Sequence, residues 1–323
     1  MDRPDRRDVF VRHRELSLAQ QLDARLRASE KQVDPLPGIR AIANRESFIE
    51  QLVESVRRIR YISVIKKQRL SALRADPSSD LFDPLRAAVL RQNQEQIDEA
   101  FWLVFLFVHF GKNRRTGWRL VRDVYGALGD ASRWDWTRTS SDPRGFRQWL
   151  GKHQTVLQGG DGIARHFGNH RKYESLDAQS DRGTGAAVES YVRWVRRPKA
   201  HLVLVQHAQQ QANGDPRKTF DYLYHSMNEV KRFGRTAKFD YLTMVGKLGL
   251  APIEPGSAYM QGATGPLAGA RLLFGGSNQS ASVLDQRLVQ LEAQLSLDFG
   301  MQVLEDALCN WQKSPGKFRP FRG

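Results

Sequence analysis

Between Val230 and Gly276 the chain reads VKRFGRTAKFDYLTMVGKLGLAPIEPGSAYMQGATGPLAGARLLFGG, and this segment constrains the fold more than any other. Phe233-Gly234-Arg235-Thr236 has the form of the tight turn in a helix-hairpin-helix, followed by an amphipathic helix from Thr236 to about Gly246. Gly262-Ala263-Thr264-Gly265-Pro266-Leu267-Ala268-Gly269-Ala270 forms a second glycine-rich turn that opens another helix. Unpaired backbone N–H groups at such turns suit a phosphate, because the donors and the helix dipole point the same way. The plainer alternative is two ordinary helix–helix connections.

Charge sharpens that choice. The 323 residues include 50 Lys and Arg against 35 Asp and Glu, a formal net charge of +15. The imbalance favours a polyanion: DNA, RNA or an anionic membrane surface. Together with the two turns it points to nucleic acid. The length suffices for one large or two small domains with a substantial core. Cys309 is the only cysteine, so no disulfide within the chain and no Cys-based zinc site is expected, and a reducing cytoplasm fits. The N-terminus, MDRPDRRDVFVRHREL, lacks the apolar stretch of a signal peptide. The most apolar run, Ala100–Phe110, is far shorter than the ~20 residues that span a bilayer, and reads as a buried helix.

Residues 1–40 read as a basic N-terminal helix or arm ending in the linker Asp34-Pro35-Leu36-Pro37-Gly38. Residues 41–323 read as a single helical domain. A helix is expected from Asn44 to about Leu73, with Phe48, Leu52, Val53 and Val56 as its core stripe. Arg57, Arg58, Arg60, Lys66, Lys67 and Arg69 give it a basic face, and Asp76-Pro77-Ser78-Ser79-Asp80 breaks it. Asp83-Pro84 and Asp215-Pro216 start helices, with Pro at the favoured first position. Others are expected over Gln94–Gly111, Gly117–Leu128, Pro143–Leu150, Asp161–Phe167, Ala186–Arg197, His201–Asn213, Ala281–Leu297 and Met301–Lys313. Trp134, Trp136 and Trp149 sit in a loop-rich stretch, where they either stack on bases or fill a core. Strand signals are weak throughout, so the fold class is mostly α.

Four clusters combine polar residues and glycines in ways that core packing does not require. The first is His109-Phe110-Gly111-Lys112-Asn113-Arg114-Arg115-Thr116-Gly117-Trp118. The second is Phe167-Gly168-Asn169-His170-Arg171-Lys172-Tyr173-Glu174. The third is the hairpin with Asp240, Lys247 and the turn Ile253-Glu254-Pro255-Gly256-Ser257. The fourth is Glu305-Asp306-Ala307-Leu308-Cys309-Asn310-Trp311-Gln312-Lys313. In a helix Glu305, Cys309 and Lys313 share a face, so a Glu–Lys pair either positions a proton donor or is a plain salt bridge. His166 and His170 have no third ligand at standard spacing, so no metal site is expected. No phosphate-binding P-loop and no dinucleotide fingerprint is present.

His109–Trp118, the FGNHRKYESL run at Phe167–Leu176, FGRTAKFDYL at Phe233–Leu242, GATGPLAGARLLFGG at Gly262–Gly276 and LEDALCNWQKS at Leu304–Ser314 carry a resemblance. From about Asn44 to its C-terminus the chain resembles the α-glutamyl/putrescinyl-thymine pyrophosphorylase family, in its bacterial standalone branch. The resemblance implies a fold like that of helix-hairpin-helix DNA glycosylases with an N-terminal helical extension. It also implies an enzyme acting on DNA with hypermodified pyrimidines. Two activities go with such proteins: joining an amine to an activated 5-hydroxymethyl pyrimidine, and excising a bulky base such as glucosylated 5-hydroxymethylcytosine in anti-phage defence. One departure matters. Ordinary glycosylases of this fold carry an Asp shortly after the hairpin, whereas Gly262–Pro266 has no carboxylate.

The expected function is therefore a DNA glycosylase that flips a hypermodified pyrimidine out of phage DNA and leaves an abasic site. Glu254 is the first candidate carboxylate, with Asp240 and Glu305 behind it and Lys313 as the partner of Glu305. His109, Asn113, Trp118, Asn169, His170, Arg171, Tyr173 and Tyr259 are candidates for the base pocket. Lys112, Arg114, Arg115, Lys172, Gly234, Arg235, Thr236, Lys238, Gly262, Thr264 and Gly265 are candidates for phosphate contacts. DNA is the expected partner of a cytoplasmic monomer, with no membrane, cofactor or metal. The same clusters allow a transferase in which Lys112, Arg114, Arg115 and Lys172 clamp a pyrophosphate leaving group. They also allow a non-catalytic DNA-binding module.

Overall fold

The computed structural model describes residues 15–130, 132–276 and 278–320. Among them are fourteen α-helices and no strand, only an isolated bridge between Asn113 and Gly117. In chain order they are α1 (Leu16–Gln32), α2 (Ile42–Lys67), α3 (Pro84–Asn93), α4 (Ile97–Phe110), α5 (Arg119–Tyr125), α6 (Trp136–Ser141) and α7 (Pro143–Thr155). There follow α8 (Thr184–Arg196), α9 (His201–Gln211), α10 (Pro216–Ser226), α11 (Arg235–Leu248), α12 (Gly265–Phe274), α13 (Ala281–Leu295) and α14 (Gly300–Trp311). The mostly helical expectation holds. No helix among the described residues is long and apolar enough to cross a membrane.

Three Asp-Pro pairs start helices by one mechanism. The Asp83 carboxylate accepts the N–H groups of Leu85 and Arg86, Asp142 that of Gly145, and Asp215 those of Arg217 and Lys218. Each satisfies donors that the first helical turn leaves unpaired, while proline sits where its missing N–H costs nothing. Asp135 caps α6 in the same way through Arg138 N at 2.9 Å, although the sequence pattern does not predict that helix. The helix expected from Asn44 to Leu73 stops at Lys67, and Ala72–Arg74 is a separate 3-10 turn. The helix expected over Asp161–Phe167 is absent. Gly159 and Gly162 adopt φ of +98° and +81°, and the Asp161 carboxylate accepts from Ile163 N and pairs with the buried Arg165 guanidinium. The side chain thus offers the backbone a turn in place of a helix.

The described residues form two compact units, 15–61 with 255–320, and 62–254. In the first, Leu18, Leu22 and Leu26 of α1 enter a core with Phe48, Leu52 and Val56 of α2 and with apolar residues of α12, α13 and α14. Trp311 packs on Phe48 at 5.0 Å and its indole N–H lies 3.1 Å from the Ser47 hydroxyl. Of the expected N-terminal arm, residues 1–14 lie outside the described residues.

The second unit is organised on α4. Past Asp98 and Glu99 in its first turn, its sequence IDEAFWLVFLFVHF is apolar on every side up to Val108, the mark of a helix buried all round. Ala100–Leu106 and Val108–Phe110 are all buried. Helices α3, α5, α6, α9 and α11 pack on it. Trp134 and Trp136 belong to this core, with Trp136 tilted 6.1 Å from Trp102. A polar chain also runs through it. The His201 Nδ1 lies 2.6 Å from the Asp98 carboxylate, its Nε2 lies 2.7 Å from the Tyr191 hydroxyl, and Tyr191 meets Tyr241 at 2.9 Å. Every buried hydroxyl and ring nitrogen in that chain is satisfied, as burial demands.

Candidate functional site

The first two clusters meet in the second unit. Gly111, at φ +65°, ends α4, and Gly168 N donates to Phe110 O at 2.8 Å. A Cβ on Gly168 would lie 2.8 Å from backbone atoms of Gly111 and Lys112, so only glycine permits this crossing. Asn113 pins both strands of the crossing. Its Nδ2 donates to Phe167 O at 2.9 Å, while its Oδ1 accepts from Arg115 N and Thr116 N.

Two adjoining cavities open there. One, of about 710 Å³, is lined by Asn113, Arg114, Arg115, His166 and Asn169. The other, of about 510 Å³, shares Asn113, His166 and Asn169 and adds Gln158, Lys172, Glu174 and Ser175 among its walls. Lys112, Arg114, Arg115 and Lys172 are exposed, and no carboxylate among the described residues pairs with them. Lys112 stands 6.0 Å over the Trp118 ring, and Lys172 stands 5.0 Å over the Tyr173 ring. The Trp118 indole N–H and the Thr116 hydroxyl are buried without a hydrogen-bond partner. Such a cleft offers an anion several uncompensated cations beside neutral hydrogen-bonding amides.

The third cluster joins through side chains. Arg171, 10% exposed, donates to Val108 O and pairs with the half-exposed Asp240 carboxylate of α11 at 2.8 Å. Arg232 holds Glu174 at 2.8 Å and donates to Tyr173 O. The turn between α10 and α11 is therefore tied to the segment that walls the cleft. Phe233 of that turn is buried, stacked on Phe105 at 4.8 Å.

His109 is fully enclosed. Its ring stacks with Phe105 and Phe233, and its Nε2 lies 3.0 Å from the Thr184 hydroxyl. That hydroxyl donates to Ser175 O at 2.7 Å, so His109 is the donor to Thr184. Burial, with the Arg171 and Arg232 charges, pushes its pKa down to about 3, so the imidazole is neutral. Lys238 is likewise buried, over the Tyr224 ring at 4.1 Å, and burial lowers its pKa. Arg235 lies over the Phe239 ring at 5.6 Å, while Gly234 and Thr236 are exposed at the start of α11.

The remaining candidates lie elsewhere. Glu254 pairs with Arg217 at 2.9 Å in the second unit. Glu305 is buried in the first unit, on α14. That helix stops at Trp311, so Lys313 falls beyond it and donates to Asn310 at 3.1 Å. Tyr259, Gly262, Thr264 and Gly265 also belong to the first unit. Tyr259 is buried with φ +50°, Gly262 has φ +76°, and Thr264 caps α12 without a side-chain hydrogen bond. Gly265 faces the Cys309 sulfur. His170 and Asn169 are exposed.

In the sequence His166 stands out only as a possible metal ligand, and Gln158, Thr184 and Arg232 do not stand out as site residues. No spacing rule marks Gln158 or Thr184. Arg232 carries a weak signal, its place just before Phe233-Gly234, where the chain turns at φ +65°. No group of three or more His, Cys, Asp or Glu among the described residues is placed to hold a metal.

The fold and the site define a mostly helical protein whose cleft is lined by amides and edged by cations that no carboxylate among the described residues pairs. A family model described as alpha-glutamyl/putrescinyl thymine pyrophosphorylase clade 3 matches residues 43–323, and the chain belongs to that family. The match spans all four clusters. No curated protein and no solved structure matches the chain.

Proposed function

We propose that this chain is a DNA enzyme that flips a hypermodified pyrimidine out of the helix and cleaves its N-glycosidic bond. An abasic site remains, and phage DNA carrying glucosylated 5-hydroxymethylcytosine is the substrate in view. The observation that carries this reading is the Asp240–Arg171 pair, a half-exposed carboxylate on the helix after the hairpin, held by the segment that walls the cleft. A glycosidic bond breaks towards an oxocarbenium-like sugar, and a fixed carboxylate either stabilises that charge or deprotonates the attacking water. Water oxygen bonds to the sugar carbon, the carbon–nitrogen bond breaks, and the base leaves with the electron pair and takes up a proton. Asn113, Asn169, Gln158 and His166 supply hydrogen bonds for a polar substituent on the base. Lys112, Arg114, Arg115 and Lys172 hold phosphates. Neither Asp240 nor Glu254 lines the cleft itself; Asp240 is preferred because its partner Arg171 belongs to the segment that walls it, whereas Glu254 pairs with Arg217 of α10, and Glu305 is buried. Purified protein incubated with glucosylated and with unmodified phage DNA decides the matter. Modified base in the mass spectrum, with alkali-labile strands, is the expected result. Folded protein that frees no base from either DNA would overturn it.

A second reading is supported by the four uncompensated cations and by the pyrophosphorylase in the family's description. In a transferase, an amine nitrogen attacks the 5-methylene carbon, the carbon–oxygen bond to pyrophosphate breaks, and a carboxylate accepts the amine proton. The cations would then stabilise the departing pyrophosphate. DNA bearing a pyrophosphorylated 5-hydroxymethyl pyrimidine, offered with an amine donor, tests it through pyrophosphate release.

A further inference from the structure

Tyr173 is 81% exposed, an unusual position for a large ring. Its backbone is not loose. Arg171 N donates to Gly168 O and Glu174 N to Arg171 O, making two consecutive turns. Arg171 anchors one side through Val108 O, and Arg232 anchors the other through Glu174 and Tyr173 O. Both guanidiniums are largely covered, at 10% and 27% exposure, so the ring projects from a fixed base. The neighbours on either side, Lys172 and Glu174, wall the cleft of about 510 Å³, whereas Tyr173 does not. The ring therefore stands beside the cleft. Lys172 lies over it at 5.0 Å, which orients the ring and brings a cation to the same point.

We infer that Tyr173 is the side chain that enters the base stack of duplex DNA when the target nucleotide leaves it. The inference rests on the reading of the cleft as a base-flipping site. A flipped nucleotide leaves a gap between two bases, and a ring wedged into it holds those bases apart and blocks the nucleotide's return. A pocket wall could not do this, because the wall contacts the flipped base and the gap lies outside. The Lys172 ammonium meets the phosphate flanking the gap as the ring goes in.

The test uses the full chain and a duplex with 2-aminopurine, which brightens when unstacked, next to a glucosylated 5-hydroxymethylcytosine. Wild-type protein should raise the fluorescence. Tyr173→Ala should lose most of that rise and slow base release by about tenfold or more. Tyr173→Phe should restore both, since the ring and not the hydroxyl is needed. On single-stranded substrate, where no stack needs filling, the Tyr173→Ala deficit should shrink. A merely structural role would impair both substrates alike. The ring is exposed, so the thermal midpoint of the variant should match wild type. A Tyr173→Ala rise equal to wild type, or no rise with wild type on any duplex, would overturn the inference. Fluorescence that rises with wild type while no base is freed would instead sink the excision reading and leave the role of Tyr173 standing.

Discussion

Two glycine-bearing helix starts look alike in the sequence and differ in the structure. At Gly234, which opens α11, a Cβ would meet no atom within 4 Å. At the start of α12, a Cβ on Gly265 would lie 2.8 Å from the Cys309 sulfur, and one on Gly269 would lie 2.4 Å from Leu308 O. The second pair of glycines lets α12 and α14 approach closely within the first unit. The first glycine is not required by its neighbours or by its φ of −70°. The carboxylates near the two turns differ too: half-exposed Asp240 comes after Gly234, while buried Glu305 lies on the helix that Gly269 touches. The lesson is that a glycine at a helix start has two separate physical uses, space for a packed helix and an accessible backbone, and only the surrounding atoms distinguish them.

The largest expected effect tests whether the accessible turn leads to the chemistry. Asp240→Asn should lower the rate of base release by about 100-fold or more, the usual worth of a positioned acid or base. Glu305→Gln should chiefly lower the thermal midpoint. Asp240→Asn with full activity would break the functional half of the comparison.

Next is acid sensitivity. His109 is held down to about pKa 3 by burial and by the Arg171 and Arg232 charges, and burial also lowers His201 despite its Asp98 partner. The unfolded chain takes up these protons near pH 6.5, the folded chain at lower pH. Their contribution is complete above about pH 6.5 and is lost as pH falls below it, for His109 down to about pH 3, by at most about 1.4 kcal/mol per pH unit for each group. The hydrogen bond from His201 depresses Asp98, so its share is lost in the same direction at lower pH, below the ordinary carboxylate range. Every histidine among the described residues lies within 62–254. Amide exchange followed from pH 7 downward should therefore show the second unit losing protection first. Equal loss in both units would contradict this.

Packing should give a smaller change. Gly269→Ala places a methyl against a backbone carbonyl and should cost about 1–3 kcal/mol in urea unfolding. Gly265→Ala should cost less, because a cysteine side chain can rotate away. Smallest is Gly234→Ala, with less than about 1 kcal/mol lost at the helix cap. Its informative readout is DNA affinity, which should fall if the backbone there approaches a phosphate. Unchanged affinity would leave Gly234 a simple connection.

Part of the site is legible in the sequence. Gly111, Asn113, Gly168 and Arg171 stand in the first two clusters, because a turn that needs glycine and an amide announces itself locally. Arg171 meeting Asp240 is not legible, since 69 residues separate them. Nor is the burial of His109 and Lys238, whose polar side chains suggest a surface role. Asp161–Phe167 has helical composition but follows one glycine at positive φ, contains another, and begins with an Asp that prefers its own turn.

The sequence by itself determined the helical class, the Asp-Pro helix starts, the buried run of α4 and the family. Periodicity, capping and apolar runs act over a few residues, and they leave marks of that length. Only the tertiary structure decided which glycines are packed and which are accessible, which cations stay unpaired at the cleft, and which carboxylate Arg171 holds. Those outcomes depend on atoms brought together from distant segments, and no local pattern encodes the space between them.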